Sequence, residues 1–308
     1  MTRRGTAGRL TSACAGLAAL ASCVAPASAP SQTKSDVVQP GATAANPPAR
    51  DLAGPATFSY AGELTQGGWI RGQAPAGSVS ARLDEQALSL DGNGRFFAAF
   101  DRDAGETATL VARLADGRTV EQSLTISPRA WDIERVDIPR TQGRTTEEFW
   151  RIREPELARI AAARSKDHDV DGWRQPFTWP VRGRISGRFG SQRIYRGGEA
   201  GSYHSGLDIA TGESGTPYVA PADGVVVLAA ESPLSLEGLL LIIDHGGGLN
   251  SAFLHSSRLV VREGDLVRRG QHIGDIGATG RATGPHLHWS LKWREARLDP
   301  LLFVGAMD

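Results

Sequence analysis

Cysteine is almost absent from this chain. Only Cys14 and Cys23 occur among its 308 residues, and both lie close to the N-terminus. The sequence beyond them cannot form a disulfide framework, and it offers no thiolate as a metal ligand or as a nucleophile. Chemistry in the folded part must therefore come from other side chains.

An excess of charge of either sign is also lacking. Lys and Arg together number 34, as do Asp and Glu, so the formal net charge at pH 7 is zero. This balance gives no electrostatic footprint for nucleic acid and indicates no strongly acidic partner. We therefore expect no nucleic-acid partner.

Long apolar runs are missing as well, although a short one occurs at the start. Arg3, Arg4 and Arg9 form a positive N-terminal region, and residues 10–20 are mostly apolar. The run is too short for a transmembrane helix, and the pattern is typical of a secretion signal.

The end of this signal permits two interpretations. Residues 20–23, Leu-Ala-Ser-Cys, resemble the lipobox of bacterial lipoproteins, so we predict a signal peptide over residues 1–23 and a lipid anchor on Cys23. Several acyl chains, at about 0.8 kcal/mol per buried CH₂, would hold the protein stably on a membrane. The alternative is cleavage after Ala29, which would give a secreted protein beginning with the disfavoured Pro30.

Two segments with different patterns follow the signal. Residues 24–50 are rich in Ala, Pro, Ser, Thr and Gln without an apolar period, which predicts a disordered linker. Residues 51–140 contain short runs that alternate with period two, and Asp-Gly pairs at Asp91 and Asp116 are hairpin signals. We expect a small antiparallel β-sandwich here, with an accessory role.

A helical linker is predicted over residues 141–175. Apolar residues recur at helical spacing from Phe149 to Ala161, Thr146 is a candidate N-cap, and Pro155 is a candidate break or restart. We interpret this amphipathic helix as a packing strut between two β-rich domains. The alternating, glycine-rich pattern that resumes in residues 176–308 predicts a compact antiparallel β-barrel or sandwich.

The C-terminal third contains a set of histidines with metal-site spacing. The motifs are His204-Ser-Gly-Leu-Asp208, then His255, then Pro-His286-Leu-His288. Catalytic zinc takes three protein ligands, with imidazole nitrogens and carboxylate oxygens at about 2.0–2.2 Å, and leaves a position for water. His204, Asp208 and one histidine of the HxH pair would supply them. Side chains two apart on a strand share a face, so one of the pair can bind metal while the other does acid–base chemistry.

These motifs, in this order, resemble those of the lysostaphin-type (LytM) murein metalloendopeptidases. The resemblance covers about residues 177–303 and includes three further segments, residues 185–190, 220–225 and 261–274. It implies a mainly β fold in which a β-sheet with an open groove holds zinc. It also implies that His204, Asp208 and His288 are the zinc ligands, with His255 and His286 as the catalytic pair.

One departure from the family pattern and three further histidines complete the site predictions. Relatives commonly have Tyr where this chain has Phe253, so we expect an aromatic wall without a hydroxyl group. His245 is expected to have a structural or hydrogen-bonding role at a strand end. His168 is expected to be a solvated linker residue, and His272 a packed strand residue.

The resemblance implies hydrolysis of a peptide bond in peptidoglycan, within its stems or cross-links. Because no Glu forms an HExxH pattern, His255 and His286 are the candidate acid–base groups. We expect a cell-envelope location, periplasmic and anchored to the outer membrane, and a D-Ala to diaminopimelate target, with a glycine bridge as the alternative. The rival functions are a non-enzymatic murein-binding or amidase-activating protein, and a structural lipoprotein with an incidental metal site.

Overall fold

Strands dominate the computed structural model, which describes residues 54–139 and 146–307. The predicted mainly β fold is confirmed. The predictions for the signal peptide, the Cys23 anchor and the linker over residues 24–50 lie outside the described residues. Within the described ranges, no helix is both long and apolar enough to cross a membrane.

Seven strands form the N-terminal part. They are β1 Ser59–Gly62, β2 Trp69–Gln73, β3 Ser78–Leu83, β4 Gln86–Leu88, β5 Arg95–Ala99, β6 Thr107–Leu114 and β7 Thr119–Thr125. They make two antiparallel sheets, with strand orders β1-β2-β5 and β4-β3-β6-β7. Every second residue is buried along much of β6, and side chains of both sheets, such as Phe96 and Leu110, share one core.

The hairpin signals identified in the sequence correspond to real turns. Between β6 and β7, Gly117 has φ 90° and the Asp116 carboxylate accepts hydrogen bonds from Arg118. Before β5, the Asp91 carboxylate accepts from the backbone of Asn93 and Arg95. Short Asp side chains stabilise turns in this way, so the loops between these strands stay tight.

The single α-helix of the described residues, α1, spans Glu147–Arg164. Thr146 caps it as predicted, because its hydroxyl accepts a hydrogen bond of 3.1 Å from the Phe149 backbone. The predicted break at Pro155 is wrong, since α1 continues through this residue. Tertiary contacts that hold α1 on both sides of Pro155, through Arg153 and the buried Ala163, offset the lost backbone hydrogen bond.

The packing face of α1 differs from the apolar stripe expected from the sequence. Ile152 and Leu157 are exposed by 53% and 42%, whereas Arg153 is buried in ion pairs with Glu156 and Glu237. α1 packs on strands of the C-terminal part, and Arg153 bonds to that part too. The helix is therefore a strut on one β-rich region, not the expected bridge between two.

Twelve short strands form most of the C-terminal part. They are β9 Arg184–Gly187, β10 Gln192–Ile194, β11 Leu207–Ala210, β12 Pro217–Val219, β13 Gly224–Ala229, β14 Leu239–Asp244, β15 Leu249–Ser256, β16 Arg258–Leu259, β17 Leu266–Val267, β18 His272–Asp275, β19 Leu287–Trp293 and β20 Ala296–Leu298, and β8 Ile133–Arg135 precedes α1. Short 3₁₀ turns lie at Gly172–Arg174, Arg196–Gly198 and Pro300–Leu302.

The main C-terminal sheet is open. Its order is β17-β13-β14-β15-β19-β11-β9, with β20 on β19, and a smaller sheet has the order β12-β18-β16. Since β17 and β9 end the sheet without pairing to each other, the barrel expected as one option is wrong and the sheet implied by the family resemblance is confirmed. In the register, Asp208 of β11 and Leu254 of β15 both face His288 of β19, which places the candidate ligands and His255 side by side.

The N-terminal and C-terminal parts share a hydrophobic core. Trp69 packs on Phe303 with ring centroids 5.1 Å apart, and Phe97 packs on Trp293 at 6.4 Å. The described residues between 54 and 307 consequently form one compact unit.

Candidate metal centre

Three donor atoms converge at adjacent positions of β11 and β19. Asp208 Oδ1 lies 3.1 Å from His204 Nε2 and 2.8 Å from His288 Nδ1, and the two nitrogens are 3.1 Å apart. Zinc in tetrahedral coordination separates such donors by about 3.3 Å, given ligand distances near 2.0 Å. The triangle formed by these three side chains is close to that size.

Hydrogen bonding fixes the orientation of the His204 ring. Its Nδ1 lies 3.0 Å from the Arg188 carbonyl oxygen, which can only accept, so Nδ1 carries the hydrogen. Nε2 is therefore the nitrogen that points toward Asp208 and His288, and in the neutral ring it carries the lone pair that a metal would take. A second hydrogen bond of this kind is typical of metal-ligating histidines.

Two glycines leave space for the ligand side chains. Gly187 pairs with Asp208 across β9 and β11, and a Cβ atom at Gly187 would overlap Asp208 Oδ2 and lie 3.1 Å from His204 Cε1. A Cβ atom at Gly206 would lie 2.6 Å from His288 Nε2. Both glycines lie in segments that carry the family resemblance, but the sequence did not show this steric role.

The charges in the cluster favour a bound cation. Burial alone would raise the pKa of Asp208, but the hydrogen bonds from His204 and His288 hold that pKa far below its usual range. Burial lowers the pKa of His288 despite the nearby Asp208 carboxylate. Burial also opposes protonation of His204, yet its hydrogen bond to Asp208 raises the pKa of the ring overall. A carboxylate and two imidazole nitrogens aimed at one point form a donor set that fits zinc.

His255 lies at the end of β15 in an unusual backbone conformation, with φ 65°. Its Nδ1 donates to the Thr279 carbonyl oxygen at 2.8 Å, which leaves Nε2 as the free acceptor. Burial lowers the pKa of this ring, so it is neutral near pH 7. Positive φ at a residue other than glycine costs free energy and is found at functional sites.

His286 lies immediately before β19 and faces His255. The two ring centroids are 5.0 Å apart, and His286 Nε2 lies 3.7 Å from Asp208 Oδ1. His286 Nδ1 donates to the Gly284 carbonyl oxygen at 2.9 Å, so in the neutral ring Nε2 is the acceptor. Five predicted site residues are thus brought together, three in a tight triangle and two beside it.

Phe253 does not form the expected aromatic wall. Its side chain is fully buried and stacks on Tyr218, with ring centroids 5.4 Å apart. The Tyr218 hydroxyl is hydrogen-bonded to Ser256 at 2.7 Å within the same buried region. The position is part of the core because β15 lies in the middle of the open sheet.

The other histidines differ in how well the predictions describe them. His245 is fully buried between the Asp223 carbonyl oxygen and the Ser251 hydroxyl, each at 2.7 Å, which confirms a structural role. His168 is half-exposed but pairs with a buried carboxylate, Asp244, at 2.8 Å, so it is not merely solvated. His272 is exposed and bonds to the Asp275 carboxylate, so the expectation of packing is wrong.

Residues of the N-terminal part hydrogen-bond to the loop that carries His204. These contacts were not predicted from the sequence. Buried Arg102 donates to the Gly190 carbonyl oxygen at 2.9 Å, and the Gly190 backbone donates to the His204 carbonyl oxygen at 2.8 Å. β8 also pairs in parallel with β10, within the same loop. No sequence signal links these distant segments.

Comparison with known proteins agrees with this arrangement. Residues 202–300 match the family model of Peptidase family M23, so the chain contains a Peptidase M23 domain over this segment. A solved structure of a putative peptidase M23 from Pseudomonas aeruginosa is similar, with TM-score 0.61 and 29% identity over 79% of this chain and 96% of that chain.

Two curated relatives have different activities in their names. The chain is 38% identical over 128 residues to peptidoglycan DD-endopeptidase ShyA of Vibrio cholerae, which is 41% of this chain and 29% of ShyA. It is 33% identical over 135 residues to murein hydrolase activator NlpD of Escherichia coli, 44% of this chain and 32% of NlpD. In both cases the chain spans about a third of the relative's length or less.

Proposed function

We propose that this protein is a zinc-dependent endopeptidase that hydrolyses peptide bonds of peptidoglycan in the bacterial cell envelope. The observation that carries the proposal is the triangle of His204, Asp208 and His288, with the free acceptor nitrogens of His255 and His286 beside it. Similarity to a DD-endopeptidase supports cleavage of peptide rather than glycan. The preferred bond is the D-Ala to diaminopimelate cross-link, and a glycine bridge is the alternative.

The geometry divides the work between two groups of residues. His204, Asp208 and His288 would hold the zinc ion, whose Lewis acidity lowers the pKa of water toward about 7 and polarises a carbonyl group. His255 and His286 each present a bare Nε2, because the hydrogen on Nδ1 is engaged by a backbone carbonyl oxygen. This pair can accept the proton of the attacking water and return it to the leaving amine.

A second candidate is a non-enzymatic murein-binding or amidase-activating protein of the same fold. The similarity to NlpD favours it. The complete and compact donor triangle favours the enzyme, since an activator needs no ordered metal ligands. A third candidate, a structural lipoprotein with an incidental metal site, requires tight zinc binding without any cleavage.

The proposed location is the periplasmic side of the envelope, with Cys23 as the lipid anchor on the outer membrane. The lipobox-like sequence before Cys23 supports the anchor. The alternative is a secreted protein cleaved after Ala29.

Digestion of purified sacculi by the wild type and two variants tests the function. Asp208→Ala should lose both zinc and cleavage, because it removes a ligand. His255→Ala should keep zinc after dialysis, while cleavage falls by roughly 10²–10⁴-fold, as expected for a lost acid–base group. Fragment analysis identifies the bond that is cut.

Three outcomes of this experiment would contradict the proposal. Wild type that binds zinc but leaves sacculi intact would favour the non-enzymatic candidates. One equivalent of zinc in Asp208→Ala would refute the ligand set, and loss of zinc in His255→Ala would refute the division of roles.

A further inference from the structure

An open pocket of about 430 Å³ lies between the β1-β2-β5 sheet and the 3₁₀ turn Gly172–Arg174. Three arginines, Arg71, Arg95 and Arg174, line it, whereas no Asp or Glu does. Tyr60 and Trp173 add aromatic surface. The pocket therefore combines positive charge with an apolar wall.

Strand geometry explains why arginines face this pocket. Arg71 and Gln73 lie two apart on β2 and so share a face, and Arg95 of β5 is directly opposite Gln73. The other face of this sheet carries Ile70 and Phe96, which are fully buried in the sandwich core. The arginine face is left open at this end of the sheet.

The opposite end of the same face is covered by the C-terminal part. Trp69 stacks near Phe97, and both rings pack on Phe303. The C-terminal part thus closes one half of this face with aromatic rings and borders the other half with Trp173 and Arg174. The pocket is a consequence of that incomplete cover.

The positive charges of the pocket are only partly balanced. Arg174 has ion pairs with Asp91 and Asp171. Arg71 donates to the Gln175 carbonyl oxygen at 2.8 Å and lies 4.5 Å above the Trp69 ring, and among the described residues it has no carboxylate partner. Burial lowers the pKa of Arg71 to about 10. An anion in the pocket would offset the free-energy cost of burying the Arg71 charge without a carboxylate partner.

Arg95 is the accessible member of the set. Its side chain is exposed, and it makes no ion pair with any residue that the structure describes. A planar guanidinium binds carboxylate groups through two parallel hydrogen bonds, so Arg71 and Arg95 together suit a carboxylate-bearing ligand.

We propose that this pocket binds a free carboxylate of a peptidoglycan stem peptide and so holds the polymer at a second point of the molecule. The proposal rests on the proposed function, which supplies peptidoglycan as the ligand. The volume accommodates a short peptide rather than a lone ion, and Tyr60 and Trp173 offer contact to small alanyl side chains.

The pocket and the metal centre lie at opposite ends of the central strands. Trp173 donates to the His245 carbonyl oxygen just after β14, whereas Leu239 at the start of β14 pairs with Ser256, next to His255. Six residues of strand at about 3.3 Å each separate the two ends by about 20 Å. A polymer with repeated stem peptides can occupy both sites at once, which raises its effective concentration at the metal centre.

Retention on sacculi tests this proposal independently of cleavage. In a His255→Ala background, which prevents turnover, Arg95→Gln should weaken binding to sacculi at least about tenfold, the loss typical of a charge-assisted hydrogen bond. Arg113→Gln is the matched control, because Arg113 is also an exposed arginine on a strand of the N-terminal part. Arg113→Gln should bind sacculi as tightly as the His255→Ala protein. The thermal unfolding midpoints of both arginine variants should match that of the His255→Ala protein.

A soluble stem peptide and inorganic phosphate, used as competitors, identify the anion. The stem peptide should displace the protein from sacculi, and Arg95→Gln should abolish this sensitivity. Unchanged binding of Arg95→Gln would overturn the proposal, and stronger competition by inorganic phosphate than by the peptide would overturn the carboxylate assignment. Binding that depends on Arg95 in a protein whose wild type cleaves nothing would refute the enzyme while the pocket stands.

Discussion

At the scale of single residues, Gly187 determines how closely β9 approaches the candidate metal ligands. Gly187→Ala would push a methyl group into the Asp208 carboxylate, so we expect zinc retention after dialysis to be lost. The fold should survive, because the nearest atoms that the methyl group meets belong to the Asp208 and His204 side chains and not to the backbone. Zinc content and the thermal midpoint measure the two effects separately.

The control for this substitution is Gly92→Ala. A Cβ atom at Gly92 meets no atom within 4 Å, and its φ is not positive. This variant should keep both zinc and stability. Full zinc retention by Gly187→Ala would show that the ligands can shift aside.

Because His245 is buried, we expect the free energy of unfolding to decrease at acidic pH. Burial lowers its pKa from 6.5 to about 4 in the folded protein. As pH falls below 6.5, the unfolded chain binds a proton that the folded chain rejects, so the free energy of unfolding drops by about 2 kcal/mol by pH 5. Above pH 6.5 the contribution is fully present, and below about pH 4 no further loss arises from this group.

Urea unfolding at pH 7 and pH 5 measures this effect. His245→Gln should be less stable than the wild type at pH 7, because it lacks the bonds to Asp223 and Ser251, but it should lose less stability on acidification. An identical loss in both proteins would assign the acid sensitivity to other groups.

The chemistry of the site could be predicted from the sequence because side-chain type and spacing carry it. The orientation of the rings could not, because the atoms that fix it are backbone carbonyl oxygens of Arg188, Thr279 and Gly284. The burial of Phe253 could not be predicted from the sequence either, since it depends on which elements pack against β15.

At the scale of elements, Arg102 links the N-terminal part to the loop between β9 and β11. Its guanidinium bonds to Gly190 and Gln192 and lies 4.5 Å above the Tyr203 ring. Arg102→Ala should therefore loosen the loop that carries His204 and weaken zinc binding by about 10–100-fold, as for other groups that orient metal ligands. A chelator competition assay measures this affinity.

Two variants show whether the effect comes from positioning. Arg102→Lys should restore little of the zinc affinity, because an ammonium group lacks the planar surface that lies over the Trp131 and Tyr203 rings while Nη2 bonds to Gly190 and Gln192. Arg118→Ala, at an exposed hairpin, should leave the zinc affinity unchanged. Wild-type zinc affinity in Arg102→Ala would confine its role to stability.

Alternation and hairpin signals were enough to predict the two strand-rich regions and the turns at Asp91 and Asp116, because both signals are local properties of the chain. The packing face of α1 was not predictable, since Arg153 is buried by an ion pair with the distant Glu237. The pairing of β8 with β10 was not predictable either, because it joins segments from either side of α1.

At the scale of the whole molecule, the shared core predicts cooperative unfolding. Trp69, Phe97, Trp293 and Phe303 join the two β-rich parts, and the buried Asp299 carboxylate pairs with Arg129 at 2.8 Å. We expect one transition in urea, with coincident midpoints from tryptophan fluorescence and far-ultraviolet circular dichroism. Two separate midpoints would show that the N-terminal sandwich folds as an independent unit.

The pairing of β8 with β10 limits how this protein can be recombined with its relatives. A chimera that joins a foreign N-terminal part at residue 128 would keep β8 but discard the Arg102 contact that supports the His204 loop. A junction in residues 140–145 would discard both Arg102 and β8, and β10 would lose its strand partner. A segment that keeps the metal centre with all of its supporting contacts must therefore include residues 54–307, which makes the boundary near residue 140 predicted from the sequence a poor site for a crossover.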